Sequence, residues 1–331
     1  MSQAKYILKR TAITAVLIYL VASALFLFFR FMPGSYSSIM LQQGLGPEQI
    51  AVLERKWGLN QPLHVQYLNY IRNMLSADVG QSFVYGTNVW ELVRPRMLNS
   101  FILIAPAVTV SYLVGGVLGA AMGNNRGTRF EKYGIVVVST FKTVPVFLSG
   151  IILLTIFASQ FDVFPSSGML STETTRALSG QPFYAMFGTA DFWMHYFLPF
   201  VTVMTFFITL PSLIMRTNVV ETLGQDFLYY HRITGLNRSL KFKKLIKHAS
   251  LPVITLYPVS MTRALGGMVL VEVVFNWPGI GKLLVDSVLA RDYPVVQFVF
   301  IVAAIWVIIG NYVIDILYSV IDPRVAIKSE E

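Results

Sequence analysis

The chain has 331 residues, 55% of them apolar and only 13% charged, and it contains no cysteine. Soluble domains carry about 25% charged residues, so this composition excludes an ordinary soluble globule, and the missing cysteine excludes disulfides and thiolate metal sites. A net charge of +9 would point to nucleic acid in a soluble protein, but here the basic residues sit in loops between apolar runs, which indicates a membrane and no nucleic-acid partner.

Six segments reach the length of about 20 residues that a hydrocarbon core requires. The first lies between Arg10 and Arg30, after a start carrying Lys5, Lys9 and Arg10. Its apolar stretch is too long for a secretory signal and no small-residue cleavage site follows, so it reads as a retained span. Residues 33–96 come next, with two short amphipathic helices broken near Pro62 and with Pro47 at the start of the first. They read as a small extracytoplasmic helical insert.

The second span runs from Met97 to Asn124 and places Gly115, Gly119 and Gly123 on one face, a ridge that lets another helix approach closely. The third covers Tyr133 to Phe161 and contains Lys142. Residues 162–196, rich in Ser, Thr, Gly and Pro, read as irregular. The fourth span extends from about Phe192 to Met215, the fifth from Pro252 to Phe275 with Arg263 and Glu272, and the sixth from Tyr293 to Ile321 with Asp315. Pro106, Pro145, Pro211 and Pro258 fall within these spans, and each predicts a kink. An isolated charge at mid-bilayer costs roughly 2.5–3.5 kcal/mol, so Lys142, Arg263, Glu272 and Asp315 are expected to pair within the bundle, line a translocation path or reach an interface.

Between the fourth and fifth spans lies a basic loop, residues 216–252. It reads as two short helices: one over about Gln225–Thr234 that stops at Gly235, and one after Ser239 as N-cap. In the second, Phe242, Leu245, Ile246 and Ala249 share a face, and Lys241, Lys243, Lys244 and Lys247 surround it. Such a helix–turn–helix lies against the bilayer and offers a docking surface to a soluble motor protein. Fifteen basic residues fall in the loops on the side of the N-terminus and nine on the other, which puts both termini in the cytoplasm.

No nucleophile–base, paired-carboxylate or metal-ligand spacing occurs, and the four histidines are scattered over different segments. Gly279-Ile-Gly281-Lys282 lacks the remaining residues of a phosphate-binding loop. The chain is therefore expected to be a transport subunit without cofactor or metal, not an enzyme. If ATP drives it, another subunit hydrolyses that ATP. An ion-coupled secondary transporter using Lys142, Glu272 and Asp315, or an exporter or assembly scaffold, is the rival reading.

The run VVFNWPGIGKLLVDSVLARDYPVVQ over residues 273–297, followed by DILYSVIDPRV, resembles the permease of dipeptide, oligopeptide and nickel ATP-binding-cassette importers, of the DppB/OppB type. FMPG, WGLNQPLHVQYLNYI, DVGQSF, ETLGQDF, GLNRS and the Leu251-Pro252 pair match in the same order along nearly the whole chain. The motif residues are Trp277, Pro278, Gly279, Gly281, Arg291, Asp292, Tyr293 and Pro294.

The resemblance implies an all-α, six-span type I importer permease (MetI-like) fold. It consists of residues 1–32 (N-terminus and first span), 33–96 (insert), 97–321 (core permease domain) and 322–331 (cytoplasmic tail). It further implies that residues 216–252 are the EAA-type coupling loop, with Phe227, Tyr229, Tyr230, His231, Arg232, Thr234, Gly235, Leu251 and Pro252 engaging an ATPase groove. The implied partners are a second, related permease subunit in a heterodimer, two ATP-binding subunits, an extracytoplasmic solute-binding protein and the lipid of a prokaryotic inner or plasma membrane. The implied cargo is di- or oligopeptides, with nickel, glutathione and oligosaccharides as alternatives. Two departures stand out: Tyr229, Tyr230 and His231 replace the family's small tripeptide, and Lys142 and Arg263 stand where the family is expected to be apolar.

Overall fold

The computed structural model describes residues 3–31, 46–56, 60–76, 79–224 and 237–321. Among these the chain is helical, with one isolated bridge between Gln81 and Asn88 and no strand. The helices are α1 (Gln3–Phe31), α2 (Pro47–Lys56), α3 (Leu63–Leu75), α4 (Val89–Asn124), α5 (Arg129–Thr143) and α6 (Val146–Leu153). They continue with α7 (Thr172–Ala177), α8 (Ala190–Phe207), α9 (Thr209–Leu223), α10 (Arg238–Ala249), α11 (Leu251–Gly267), α12 (Val269–Val274), α13 (Ile280–Leu289) and α14 (Tyr293–Ile321). α6 runs on into a π-helical stretch, Leu154–Gln160, and a 3₁₀ turn covers Phe183–Gly188.

Among the described residues, four helices are long and apolar enough to cross a membrane: Lys5–Phe31, Val89–Asn124, Ala190–Leu223 and Tyr293–Ile316. A fifth is added if the pair Arg129–Thr143 and Val146–Gln160, bent by 100°, is one span. The third expected span is thus an elbow. Pro145 supplies no N–H and pushes Val144 into an extended conformation (ψ 127°), which stops α5 there. The fifth expected span is split: α11 has 17 residues and ends at Gly267, Met268 leaves helical geometry, and α12 follows. Two successive glycines, poor helix formers, precede that break.

Of the four prolines expected to kink spans, two sit at breaks: Pro145 at the end of α5, and Pro211 in the first turn of α9, just after the interruption at Ile208, where its missing N–H leaves the Phe207 carbonyl without its helical donor; α4 and α11 run helically through Pro106 and Pro258. The segment expected to be irregular, 162–196, contains α7, the 3₁₀ turn and the start of α8. Ser171 caps α7 by accepting from Thr174 N–H, and the Asp191 carboxylate accepts from Ser171 N–H at 2.8 Å. Those Ser, Thr and Asp residues are cap residues that read as loop when taken as composition alone.

The chain divides into two compact units, residues 1–98 with 279–331, and residues 99–278. In the first, α1 and α14 pack along each other. Arg10, near the start of α1, meets Asp315, near the end of α14, at 3.0 Å, while Phe29 meets Tyr293 at the opposite end, so the two run antiparallel. α3 lies against α1 through Ser23 and Tyr67 (2.6 Å), the Tyr70 hydroxyl on the Ala22 carbonyl, and Phe26 between both tyrosine rings. A small core of Val89, Val93, Leu283, Val295 and Val299 closes this unit.

In the second unit α4 packs on α9. A Cβ added at Gly115 would lie 2.8 Å from the Ile208 carbonyl oxygen, one at Gly123 2.7 Å from that of Arg216, and one at Gly119 would collide with the Ser212 carbonyl. Both helices advance together through these contacts, so they are parallel and in backbone-to-backbone proximity. Aromatic packing of Phe192, Tyr196 and Trp277 fills the other end of the core.

Candidate functional site

The basic loop is built from its flanks inward. α9 ends at Gly224, and Phe227, Tyr229, Tyr230, His231, Arg232, Thr234 and Gly235, together with the expected helix over Gln225–Thr234, lie outside the described residues. α10 starts two residues earlier than the sequence suggests: Asn237, not Ser239, is the N-cap, its side chain accepting from Ser239 N–H. An Asn side chain is at least as good a cap as Ser, and it stands two residues upstream. Leu245 and Ala249 are buried with Val219 of α9, and Phe242 and Ile246 pack beside them, while Lys243 and Lys247 are exposed.

Two polar clasps hold these flanks. Asn218 of α9 donates to the Ala249 carbonyl at 3.1 Å, tying α9 to the end of α10. Arg216 donates through two nitrogens to Glu131 at the start of α5, and the second Glu131 oxygen accepts from Gly127 N–H at 2.6 Å. Glu131 is 6% exposed, so the pair is shielded, and its remaining acceptor is satisfied, the condition under which a buried ion pair is retained. Thr128 caps α5 by accepting from Glu131 N–H, while the Glu131 side chain reaches back one residue further, to Gly127 N–H, and not to the cap residue's own N–H as in a capping box. Leu251 is 55% exposed and Pro252 is exposed beside it, whereas Val253 turns inward.

The motif residues after α12 form two helix ends of one design. Asn276 has φ +49°; its N–H bonds to the Val273 carbonyl and that of Trp277 to the Glu272 carbonyl. Arg291 has φ +57°; its N–H bonds to the Val288 carbonyl and that of Asp292 to the Ser287 carbonyl. Both patterns are Schellman ends, with the left-handed residue at the first position past the cap.

Each end then anchors the residue that follows. Trp277 is fully buried and donates from Nε1 to the Asn99 carbonyl, while the Asn99 side-chain amide donates to the Pro278 carbonyl, both at 2.9 Å. Asp292, also fully buried, accepts from the Ser82 hydroxyl and from Phe83 N–H (3.1 Å) and Val84 N–H (3.4 Å). Gly279 and Gly281 are buried at the start of α13, and Tyr293 and Pro294 open α14. These eight motif residues thus sit at turns and helix ends, and two stretches 200 residues apart in sequence, DVGQSF and ARDYP, meet at one carboxylate.

The four charges within expected spans fall into two classes. Asp315 pairs with Arg10, and Glu272, 2% exposed, accepts from the Ser100 hydroxyl. Lys142 and Arg263 are exposed and have no ion pair or hydrogen bond among the described residues. Sequence reasoning missed Glu131, Arg216, Asn218, Ser82 and Asn99. The spacing Thr128-x-x-Glu131 signals a capping box and could have marked Glu131; nothing local marks the others, whose partners are distant in sequence.

Two family models cover nearly the whole chain: binding-protein-dependent transport system inner membrane component over residues 115–327, and its N-terminal counterpart over residues 3–103. The oligopeptide transport system permease protein AppB of Bacillus subtilis (strain 168) is 31% identical over 326 residues, covering 97% of this chain and 99% of the relative. The glutathione transport system permease protein GsiC of Salmonella choleraesuis (strain SC-B67) is 31% identical, covering 98% and 99%. The dipeptide transport system permease protein DppB of Escherichia coli (strain K12) is 29% identical at the same coverage, 98% and 99%. With its helical membrane spans and its motif residues folded into two anchored helix ends, the chain belongs to the family of binding-protein-dependent transport system inner membrane components.

Proposed function

We propose that this chain is a permease subunit of an ATP-binding-cassette importer that carries di- or oligopeptides by alternating access. End-to-end similarity to oligopeptide, dipeptide and glutathione permeases carries this reading. Glutathione, itself a peptide with two carboxylates, is the alternative cargo. The chain spans the inner membrane six times: the four long helices, the elbow of α5 and α6, and α11 with α12 as a broken span. Its termini and the 216–252 loop face the cytoplasm and residues 33–96 lie outside. A second related permease, two ATPase subunits and a solute-binding protein complete the complex.

In this reading the ATPase grips the stretch around Phe227, Tyr229, Tyr230, His231, Arg232, Thr234 and Gly235, with Leu251 and Pro252 behind it. The clasps Arg216–Glu131 and Asn218–Ala249 support that role, because they join both flanks of the stretch to α5, α9 and α10. The aromatic Tyr229-Tyr230-His231 run calls for an ATPase groove shaped to receive it. Gly235→Val is expected to leave the complex assembled and hydrolysing ATP while uptake falls at least tenfold. Unchanged uptake in that variant, measured with the ATPase rate in the same vesicles, would sink the coupling role.

A further inference from the structure

The first turns of α5 change character along one face. Arg126 stands in the turn before the helix, Arg129 opens it and Lys132 follows; all three are exposed, and their side chains form no ion pair or hydrogen bond among the described residues. Tyr133, Val136 and Val137 come next, 65%, 58% and 52% exposed. Positions i, i+3, i+4, i+7 and i+8 of a helix share a side, so Arg129, Lys132, Tyr133, Val136 and Val137 form one stripe that runs from cationic to apolar. The opposite side is packed. Glu131 and Val138 are buried, the Val138 carbonyl accepts from the Thr209 hydroxyl at 2.6 Å, and a Cβ at Gly134 would collide with the Met122 sulfur.

The charge of this turn is not cancelled. Residues 125–133 hold a single acid, Glu131, and Arg216 answers it, so the three bases stand uncompensated. The backbone at the helix start is already used: Gly127 N–H bonds to Glu131, and the Glu131 and Lys132 N–H groups bond to Thr128. A ligand here meets side chains, not the helix end.

Candidate occupants differ in what they satisfy. A second copy of this chain, or a permease with the same basic turn, brings like charges to the contact and is repelled. A soluble partner neutralises the bases and leaves uncovered the apolar side chains of a helix pair that, taken together, is apolar enough to cross a membrane. A phospholipid satisfies both halves. Its phosphate accepts charge-assisted bonds from Arg and Lys, its chain covers the apolar part, and a Tyr between the two suits the headgroup boundary.

We infer that this stripe is a site for an anionic phospholipid, with the headgroup on Arg126, Arg129 and Lys132 and an acyl chain along Tyr133, Val136 and Val137. The inference rests on the chain's place in a membrane, and on neither its cargo nor its orientation. The Glu131–Arg216 clasp ties the same turn to α9, so the bound lipid braces the helix that leads into the basic loop.

The chain has no cysteine, so one introduced thiol carries a single bimane label once the other subunits are made cysteine-free. Thr140→Cys is exposed on the same side of α5, one turn beyond Val136. Leu113→Cys, at a 66% exposed position of α4, is the control. With the whole complex in nanodiscs, quenching is titrated with doxyl-labelled phosphatidylglycerol and doxyl-labelled phosphatidylcholine. At Thr140→Cys the anionic lipid is expected to quench at a mole fraction about tenfold lower than the zwitterionic one, and about 1 M salt should erase that preference. At Leu113→Cys no preference is expected.

Replacing Arg126, Arg129 and Lys132 together by Gln should bring the preference at Thr140→Cys close to unity, whereas Arg126→Lys, Arg129→Lys and Lys132→Arg together should keep it. Lys132→Gln alone should lower it about threefold, which keeps the test intact if the triple Gln variant does not fold. Equal quenching by the two lipids, or a preference indifferent to the Gln replacements, overturns the site. Absence of quenching by either lipid overturns it too, and assigns the stripe to a protein partner. A preference abolished by excess inorganic phosphate identifies a free-anion site and removes the lipid.

Discussion

Asp292 is buried completely and yet accepts three hydrogen bonds, one from the Ser82 hydroxyl and two from backbone N–H groups of the loop before α4. A carboxylate removed from water is tolerated only with such a set of donors, and bonds to charged groups contribute about 1.5–3 kcal/mol each. Asp292→Ala strands all three donors, so a loss of about 3 kcal/mol is expected, read as a lowered unfolding midpoint in detergent. At Asn276 the issue is backbone conformation. Its φ of +49° suits Asn, whereas a β-branched side chain there crowds the following carbonyl. Asn276→Val should cost about 1–2 kcal/mol, and Asn276→Gly should cost little; equal losses in the two would show that side-chain contacts, not φ, decide the position. That WPG and ARDYP matter is visible in the sequence, because the motif marks them. Their job is not visible, because Ser82 lies 210 positions from Asp292 and no local pattern announces that pairing.

Among the helices, the glycine spacing of α4 carries in sequence the expectation of a close neighbour, since only Gly at every fourth residue leaves a smooth groove. It does not carry which helix fills the groove; the chain from Ile208 into α9 does so, its Ile208, Ser212 and Arg216 carbonyls repeating at the same four-residue interval on the facing side. Gly119→Val should push the two helices apart and cost more than 2 kcal/mol. Gly116→Ala, three positions away with nothing within 4 Å of the new methyl, should stabilise by about 0.5–1 kcal/mol. If both variants unfold alike in a thermal scan, the ridge is not the contact that matters.

The proline-based expectations separate for a physical reason. Pro145 holds the residue before it extended, so the helix ends, while at Pro106 and Pro258 neighbouring turns absorb the missing N–H and the helix goes on. The break at Met268 has no proline and only a glycine pair before it, a weak signal that length and hydropathy override when a span is read from sequence.

At the scale of the whole molecule, the antiparallel α1 and α14 bring the first and last helices together, with Arg10 against Asp315 and Thr11 against Tyr312 (2.8 Å) at one end. The ion pair is partly exposed, at 39% and 29% of the two side chains, so its coupling is roughly 1 kcal/mol. Arg10→Asp and Asp315→Arg should each lower the unfolding midpoint, and the double reversal should recover most of the loss; an additive double variant would mean the two side chains are neighbours without being partners. The sequence discloses the two apolar helices and their charges plainly. It does not disclose that the charges belong to each other, because more than 300 residues intervene and Asp315 could equally answer a charge on another span.

The glycine ridge has a mechanical corollary. Two backbones locked into each other's grooves behave as one strut, with no side-chain layer between them to shear. Any bending within the second unit must then be taken up at the 100° elbow at Val144–Pro145 and the interruption at Met268, and spin labels across the strut should keep a fixed separation through the ATP cycle while labels across either joint do not.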